Sequence, residues 1–398
     1  MQNHSDLVIV GGGIGGMAAA LALQRAGARP RVVERTAVFS EVGAGVQLGP
    51  NVTRVLARWG LEKPLLAVAA EPRALMARDA QSGALLGHMP LARDMRERYG
   101  APYLSIHRAD LHGLLADAVA AQGVACAHGL TLTGIARQGA GVALQLSGAQ
   151  ADDTWLAEGL IGADGLWSQS RAALGLTDAP VFSGHLAYRA LLPMRDVPQA
   201  LREVVTVWMA PEAHVVQYPV RRGEWCNLVV LLEGALPPDP QSWDQAAQAD
   251  VLRMRLGRVA PDLARTLEAA PPWRLWALHE RPVLTSAAQM AHGPVALLGD
   301  AAHPMRPYLA QGAGMAIEDA QALAEAWQLD GSLAGRWQHY AAQRWARNAR
   351  VQARARRNGV IFHAQGWLAR ARNASLRVAG ARLMDVPWLY REGASRTG

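Results

Sequence analysis

The chain has 398 residues, 51% hydrophobic and 18% charged, with a formal net charge of +7. That length allows two domains with separate cores; no apolar run is long enough to span a bilayer, and Cys126 and Cys226 offer neither a disulfide framework nor a metal-ligand spacing. Lys63 is the only lysine, and arginines crowd the C-terminal region at Arg344, Arg347, Arg350, Arg354, Arg356 and Arg357; helical spacing leaves most of these on solvated faces, and nothing resembles a nucleic-acid recognition module. The expected compartment is the cytoplasm.

An apolar strand at Leu7–Val10 runs directly into Gly11-Gly12-Gly13-Ile14-Gly15-Gly16, and Met17, Ala20, Leu21, Leu23 and Gln24 then recur with helical spacing. In a G-x-G-x-x-G turn, Gly11 permits the tight bend and Gly13 lets backbone N–H groups approach a pyrophosphate. Gly16 lets the helix lie close to the strand. A second strand, Arg31–Val33, ends at Glu34, where a carboxylate is placed to accept hydrogen bonds from an adenosine ribose. The chain therefore opens with a dinucleotide-binding βαβ unit reaching about Gly60. Cleavage of a leader would remove its first strand.

A glycine-rich loop covers Phe39–Asn51, and a helix opened by Arg108 covers Ala109–Ala121. Strands are predicted at Val124–Ala127, Leu130–Ile135, Val142–Leu146 and Trp155–Ile161, the last entering Gly162-Ala163-Asp164-Gly165. From Phe182 to Leu232 period-two alternation marks a mixed or antiparallel sheet, with strands at Ala187–Leu192, Val204–Met209, His214–Val220 and Asn227–Leu232. A helical stretch over Trp243–Leu256 closes this insert. A strand at Val295–Leu298 then leads through Gly299-Asp300 and a glycine-rich loop to a helix over Gly314–Trp327, and Ala/Arg-rich helices fill much of Gly335–Met384.

Three nucleotide signals thus follow in order: the first glycine turn, the Asp164-Gly165 turn, and Gly299-Asp300 with Gln311–Gly314. With the β-rich insert between them, they resemble the single-component FAD-dependent aromatic hydroxylases, in particular the branch acting on 3-hydroxybenzoate, salicylate and 6-hydroxynicotinate. The resemblance covers essentially the whole chain and includes Glu41–Asn51, Tyr99–His112 and His214–Pro219. It implies an α/β fold: a Rossmann-type FAD-binding domain with an inserted β-sheet substrate domain and C-terminal helices. The corresponding division is 1–180 for the first part of the FAD domain, 181–280 for the sheet domain, 281–340 for the return and 341–398 for the helical region.

The same resemblance implies the site. Gly11, Gly13, Ile14 and Gly16 hold the FAD pyrophosphate, Glu34 holds the ribose, and Arg35 is a further cofactor contact. Arg108 lies beside the flavin, Ala44, Gly45 and Val46 are further cofactor contacts, Asp164 serves FAD and the nicotinamide coenzyme, and Asp300 binds the ribityl or pyrophosphate region. Pro307 stands beside flavin C4a. Backbone N–H groups at Gly312, Ala313 and Gly314, opening a helix, can stabilise negative charge on the reduced flavin. Gln47, Tyr188 and Met305 are candidate substrate contacts, and Arg189 is either a carboxylate anchor or part of a structural ion pair. His303 reads as loop support.

In that family NADH or NADPH reduces the flavin, O₂ forms a C4a-hydroperoxide, and an oxygen atom passes to the ring of a phenolic acid. The resemblance makes NADH the preferred donor, since that branch mostly uses it, and no obvious arginine pair for a 2′-phosphate can be assigned. An unperturbed phenol titrates near ~10, so ionising it at neutral pH costs roughly 4 kcal/mol without help. His214 is the candidate group for easing that cost, and Tyr218 follows on the same strand face. Gln47 stands where hydroxynicotinate enzymes carry histidine, which weakens that alternative. A flavin oxidase or reductase, or a non-catalytic FAD binder, would keep the glycine turns without needing His214. The implied partner is a small aromatic acid, with no stable membrane insertion, and a homodimer is the assembly to test.

Overall fold

The first strand, Asn3–Val10, lies between two parallel neighbours, Pro30–Glu34 and Asp153–Gly162, with Val10 in register with Val33 and Gly162. The computed structural model describes residues 3–37, 45–149, 152–240, 242, 245–247 and 249–391; Ala44 and the loop from Phe39 to Ala44 lie outside them. The chain forms two units. One comprises Met1–Ser40, Leu111–Val181 and His279–Ala355, the other Glu41–Asp110, Phe182–Leu278 and Arg356–Gly398.

In the first unit the sheet runs in the order 291–292, 295–297, 153–162, 3–10, 30–34 and 125–128, with the hairpin of 130–138 and 141–148 attached to 153–162. The helix Ile14–Arg25 buries Ile14 and every residue from Gly16 to Leu23, as expected for a helix covered on more than one side. A Cβ on Gly15 would stand 2.8 Å from Leu298 Cδ1 and 3.3 Å from Ala316 Cβ, so the helix Gly312–Trp327 approaches along a glycine-alanine seam.

The second unit is built on a sheet ordered 245–247, 273–280, 181–193, 225–233, 213–220, 204–210, 74–79 and 85–90. Alternation divides its faces. Leu186, Tyr188, Ala190, Leu192, Trp208, Val215, Leu228 and Val230 bury against Leu252, Leu256 and Leu263 of the helices Ala249–Leu256 and Pro261–Glu268. Each large side chain there contributes roughly 1.5–3 kcal/mol of transfer free energy. The intervening residues, His214, Val216 and Tyr218 among them, occupy the opposite face.

The boundaries differ from a contiguous division at 180, 280 and 340. The strands Ala74–Asp79 and Leu85–Pro90 extend the sheet of the insert, because Ala74–Asp79 pairs in parallel with Val204–Met209. Residues 356–398 also join that unit. The predicted helix over Trp243–Leu256 is shorter: Gln245–Ala247 pairs with Trp273–Leu275 as an edge strand, and the helix spans Ala249–Leu256. The edge of Trp273–Glu280 supplies backbone partners that override the local helical pattern. Among the described residues no helix is long and apolar enough to cross a membrane.

Candidate active site

The glycine turn is shaped by close backbone approaches. Gly11 has φ +106°, and a Cβ there would lie 2.4 Å from Ala163 O; on Gly16 it would lie 1.8 Å from Gly11 O. On Gly13 it would meet nothing within 4 Å. Open space therefore adjoins the N-terminus of the helix Ile14–Arg25, where N–H groups face outward with no side-chain cap. That is the chemistry a pyrophosphate needs, so the residues present fit a dinucleotide.

Glu34 accepts the Gly12 N–H at 2.6 Å and both the N–H and the hydroxyl of Thr36 at 2.8 Å. Burial pushes its pKa up, but the Thr36 and Gly12 donors outweigh burial and hold it below the usual carboxylate range. His112 fixes the same turn from the helix Arg108–Ala121, with Nε2 2.8 Å from Gly12 O. Arg35 is exposed beside Glu34, and Arg108 is half-buried at the start of that helix.

Asp164 caps the turn that follows it. Its carboxylate accepts from Ser168 Oγ at 2.6 Å, Gln169 N at 2.8 Å and Ser170 N at 2.9 Å. Nearby, buried Arg171 donates to Ala301 O at 2.8 Å and pairs with Asp178 at 3.0 Å. This ties the Asp-Gly turn to the Gly-Asp turn within the same unit. Asp300 is exposed in the short 3₁₀ turn Gly299–Ala301.

Beneath that turn lies a buried charge cluster. Asp319 accepts from His303 Nε2, Arg344 Nε, Asn348 Nδ2 and Gly299 N. Burial alone would raise the Asp319 pKa, yet His303 and Arg344 hold it far below the usual range. Burial likewise opposes the charge on Arg344, and Glu318 with Asp319 overcomes it, raising its pKa. The His303 contact fits a loop-supporting role. Past it, Met305 is half-buried, Pro307 is exposed, and Ala310 adopts φ +52° before the helix Gly312–Trp327. A Cβ on Gly312 would have only Met305 Cγ near, at 4.0 Å. The space beside Gly312 is thus open at a helix N-terminus, whereas Gly314, within the first turn, is buried.

In the second unit His214 and Tyr218 share a strand face, as the alternation requires. Four residues separate them, about 13 Å at ~3.3 Å per residue. Between them Val216 pairs with Val207 on one side and Val229 on the other. These three valines are half-buried while the residues around them are buried. Arg189 continues the row beyond Val229, buried, with its guanidinium 4.9 Å from the Trp276 ring centroid. The result is a short apolar floor bounded by an imidazole, a phenol and a guanidinium.

The Tyr218 end is tightly organised. Gln47 hydrogen-bonds Tyr218 and accepts the Tyr103 hydroxyl at 2.6 Å. Burial raises the Tyr218 pKa well beyond the ordinary value and the Gln47 bond only partly offsets it. Tyr218 is therefore a protonated phenol near pH 7. Gly45 and Val46 precede Gln47 on the strand Gly45–Leu48, which pairs with Leu104–His107; Ser105 Oγ ties that pair to Pro219 O at 2.5 Å. At the other end His214 is 1% exposed. Burial, then His363 and His185, push its pKa well below the ordinary value, so the ring is neutral near pH 7.

Tyr188 does not join this face: its ring belongs to the opposite core with Leu186 and Ala190. Its neighbour Arg189 points the other way. Sequence reasoning passed over Tyr103, Asn227 and His363. Tyr103 lies inside the quoted segment Tyr99–His112, whereas Asn227 and His363 carry no local signal.

The FAD binding domain family matches residues 4–355. The 3-hydroxybenzoate 6-hydroxylase of Polaromonas naphthalenivorans (strain CJ2) is 35% identical over 397 residues, covering 98% of this chain and 97% of that protein. The 6-hydroxynicotinate 3-monooxygenase of Bordetella bronchiseptica (strain ATCC BAA-588 / NCTC 13252 / RB50) is 33% identical, covering 92% of this chain and 93% of that protein. Among solved structures, a salicylate hydroxylase substrate complex matches with a TM-score of 0.80 at 25% identity, covering 99% of this chain and 98% of that one. The chain belongs to the FAD binding domain family, as one of its FAD-dependent aromatic-ring monooxygenases.

Proposed function

We propose that this protein hydroxylates a phenolic aromatic acid of the 3-hydroxybenzoate or salicylate class, with NADH as the preferred electron donor and O₂ as oxidant. The observation that carries this reading is the half-buried row of Val207, Val216 and Val229 between His214 and Tyr218. FAD, when bound, supplies the activation of O₂ with electrons taken from the nicotinamide. The glycine turn at Gly11–Gly16 and Glu34 hold its adenosine and pyrophosphate, with Asp300 and the N-terminus at Gly312–Gly314 serving its remaining length.

The chain's own contribution is to bind and ionise the substrate. The valine row takes the ring, Arg189 balances the acid group, and Tyr218 donates to a substrate oxygen. His214, neutral near pH 7, accepts the phenolic proton, and a phenolate ring is far the better nucleophile. The relatives' names, covering a hydroxybenzoate and a hydroxynicotinate, support a hydroxylated aromatic acid.

The test follows NADH oxidation and product by the FAD-loaded protein with 3-hydroxybenzoate, salicylate and 6-hydroxynicotinate. Hydroxylated product matching NADH consumed is expected with a phenolic acid. Flavin reduction without product would turn the assignment to a reductase, and product from 6-hydroxynicotinate alone would move the substrate to the N-heteroaromatic class. Comparing kcat/KM for NADH and NADPH decides the donor.

A further inference from the structure

A neutral, fully buried imidazole is a poor place to store a proton, since burial disfavours the charged form. A proton reaching His214 needs somewhere to go. His214 Nδ1 lies 2.8 Å from His363 Nε2, and the two residues are 1% and 6% exposed. The other ring nitrogen, His363 Nδ1, lies 3.6 Å from Glu233 Oε1, whose side chain is 50% exposed. His363 also follows directly on the 30-residue helix Leu333–Phe362, whose C-terminal dipole favours positive charge there.

We propose that His214, His363 and Glu233 form a proton path that carries the substrate's phenolic proton to solvent and returns one when product leaves. The inference rests on the reading of His214 as the acceptor of that proton. In the resting tautomers His214 holds its proton on Nδ1 and donates to His363 Nε2, and His363 holds its own on Nδ1 towards Glu233. The phenolic proton moves to His214 Nε2 and the His214 Nδ1 proton to His363 Nε2; the half-exposed Glu233 side chain closes from 3.6 Å to hydrogen-bonding distance, takes the His363 Nδ1 proton and passes it to water. Four N–H or O–H bonds form and four break, the last pair at Glu233 and water, and the net change is one proton delivered to solvent and one phenolate left behind. Reverse transfer reprotonates the product phenolate and restores both tautomers. No oxidant or reductant enters these steps.

A hydrogen bond alone does not require two histidines, because an amide partner would satisfy Nδ1 equally well. What imidazole adds is a second nitrogen through which a proton can leave. The groups around the path are His185 on the strand Val181–Pro193, its ring centroid 5.3 Å from that of His363, and Phe362, 5.2 Å from the His214 ring. Glu212 donates its N–H to His363 O at 3.2 Å, and Arg255 donates to Glu233 O at 2.6 Å.

The experiment mixes FAD-loaded enzyme with 3-hydroxybenzoate and follows phenolate absorbance by stopped flow, across pH, in the parent and in His214→Ala, His363→Gln, His363→Ala and Glu233→Gln. Glutamine at 363 keeps an acceptor for His214 Nδ1 but cannot pass the proton on. Expected for His363→Gln is phenolate formation slowed on the order of 10-fold or more, with flavin content and 3-hydroxybenzoate affinity unchanged, and recovery of the rate in His363→Ala on adding imidazole. Glu233→Gln should slow it less, because water reaches that end. Parent rates in both His363 variants overturn the path while leaving His214 in place if His214→Ala is slow. A parent rate in His214→Ala overturns the reading of His214 and the path with it. Should the His363 variants fail to fold, or 3-hydroxybenzoate fail to bind, long-range ¹H–¹⁵N spectra of the parent decide: a proton on His214 Nδ1 supports the path, and one on His363 Nε2 directed at an unprotonated His214 Nδ1 overturns it.

Discussion

The backbone N–H of Gly45 donates to the side-chain oxygen of Asn227 at 2.7 Å, joining positions 182 residues apart. The approach is close enough that a Cβ on Gly45 would stand 2.5 Å from Tyr218 Cε2 and 2.8 Å from Asn227 Cγ. This contact therefore seats the strand of Gln47 against the paired strands that carry Asn227 and Tyr218. Replacing Asn227 with leucine leaves the Gly45 N–H without this acceptor, and the expected loss is about 1–3 kcal/mol. Urea unfolding of the variant beside the parent measures it; equal midpoints and slopes would show that the bond contributes nothing net.

Two glycines of the first turn, Gly16 and Gly13, should separate folding from cofactor binding. Gly16→Ala forces a Cβ into Gly11 O and should destabilise the unit whether or not FAD is added. Gly13→Ala meets only open space, so unfolding without FAD should match the parent while FAD retention, read from flavin absorbance after gel filtration, falls on the order of 10-fold or more, about 1.4 kcal/mol. Asp300→Ala should behave like Gly13→Ala. Full flavin content in both would remove that space from the cofactor site.

His214→Ala should retain FAD and slow hydroxylation by roughly 10²–10⁴-fold, the range for a positioned acid–base group. NADH consumption should outrun product, with hydrogen peroxide making up the difference. Raising the pH towards ~10 should recover part of the rate, because more phenol arrives already ionised. Loss of flavin or of thermal stability, with coupling intact and no recovery at high pH, would make His214 structural.

Asp319 supplies a pH-dependent part of stability whose sign is set by its depressed pKa. A carboxylate held below its unfolded value contributes fully above ~3.9, and the contribution fades as pH falls through the folded value. Asp319→Asn removes one of the two carboxylates opposite Arg344, leaving Glu318, and should cost about 1–3 kcal/mol, the range for a buried hydrogen-bonded group that loses its partner. The gap between variant and parent in urea unfolding should stay constant from pH 5 to 8 and narrow only below ~3.9. A gap that already closes between pH 7 and 5 would show that Asp319 does not carry the effect.

The opening unit was legible because its signals are local. Strand, glycine turn and helix follow within a few residues, and each glycine's task is imposed by atoms a few positions away, as the 1.8 Å approach of a Gly16 Cβ to Gly11 O illustrates. Period-two alternation likewise located the strand Ala213–Val220 and set His214 and Tyr218 on one face. The strands Ala74–Asp79 and Leu85–Pro90 were not legible, since Ala74–Asp79 takes its place by pairing with Val204–Met209, more than a hundred positions on, and Leu85–Pro90 joins the sheet only through it. Tyr188 shows the same limit. Alternation separates it from Arg189, but only the packed helices Ala249–Leu256 and Pro261–Glu268 decide which of the two faces the core.

Sequence alone thus determined the chemistry available: a glycine turn for a pyrophosphate, a histidine and a tyrosine in phase on one strand, and turns carrying Asp164 and Asp300. Tertiary structure decided what those groups touch. It engaged the carboxylate of Asp164 in capping its own turn, paired Tyr218 with Gln47, and set His363 against His214 across 149 residues. Dihedral preference and side-chain periodicity act over a few residues and are written in the chain. Burial and long-range hydrogen bonding, which fix the charge state of His214, exist only once distant segments have packed.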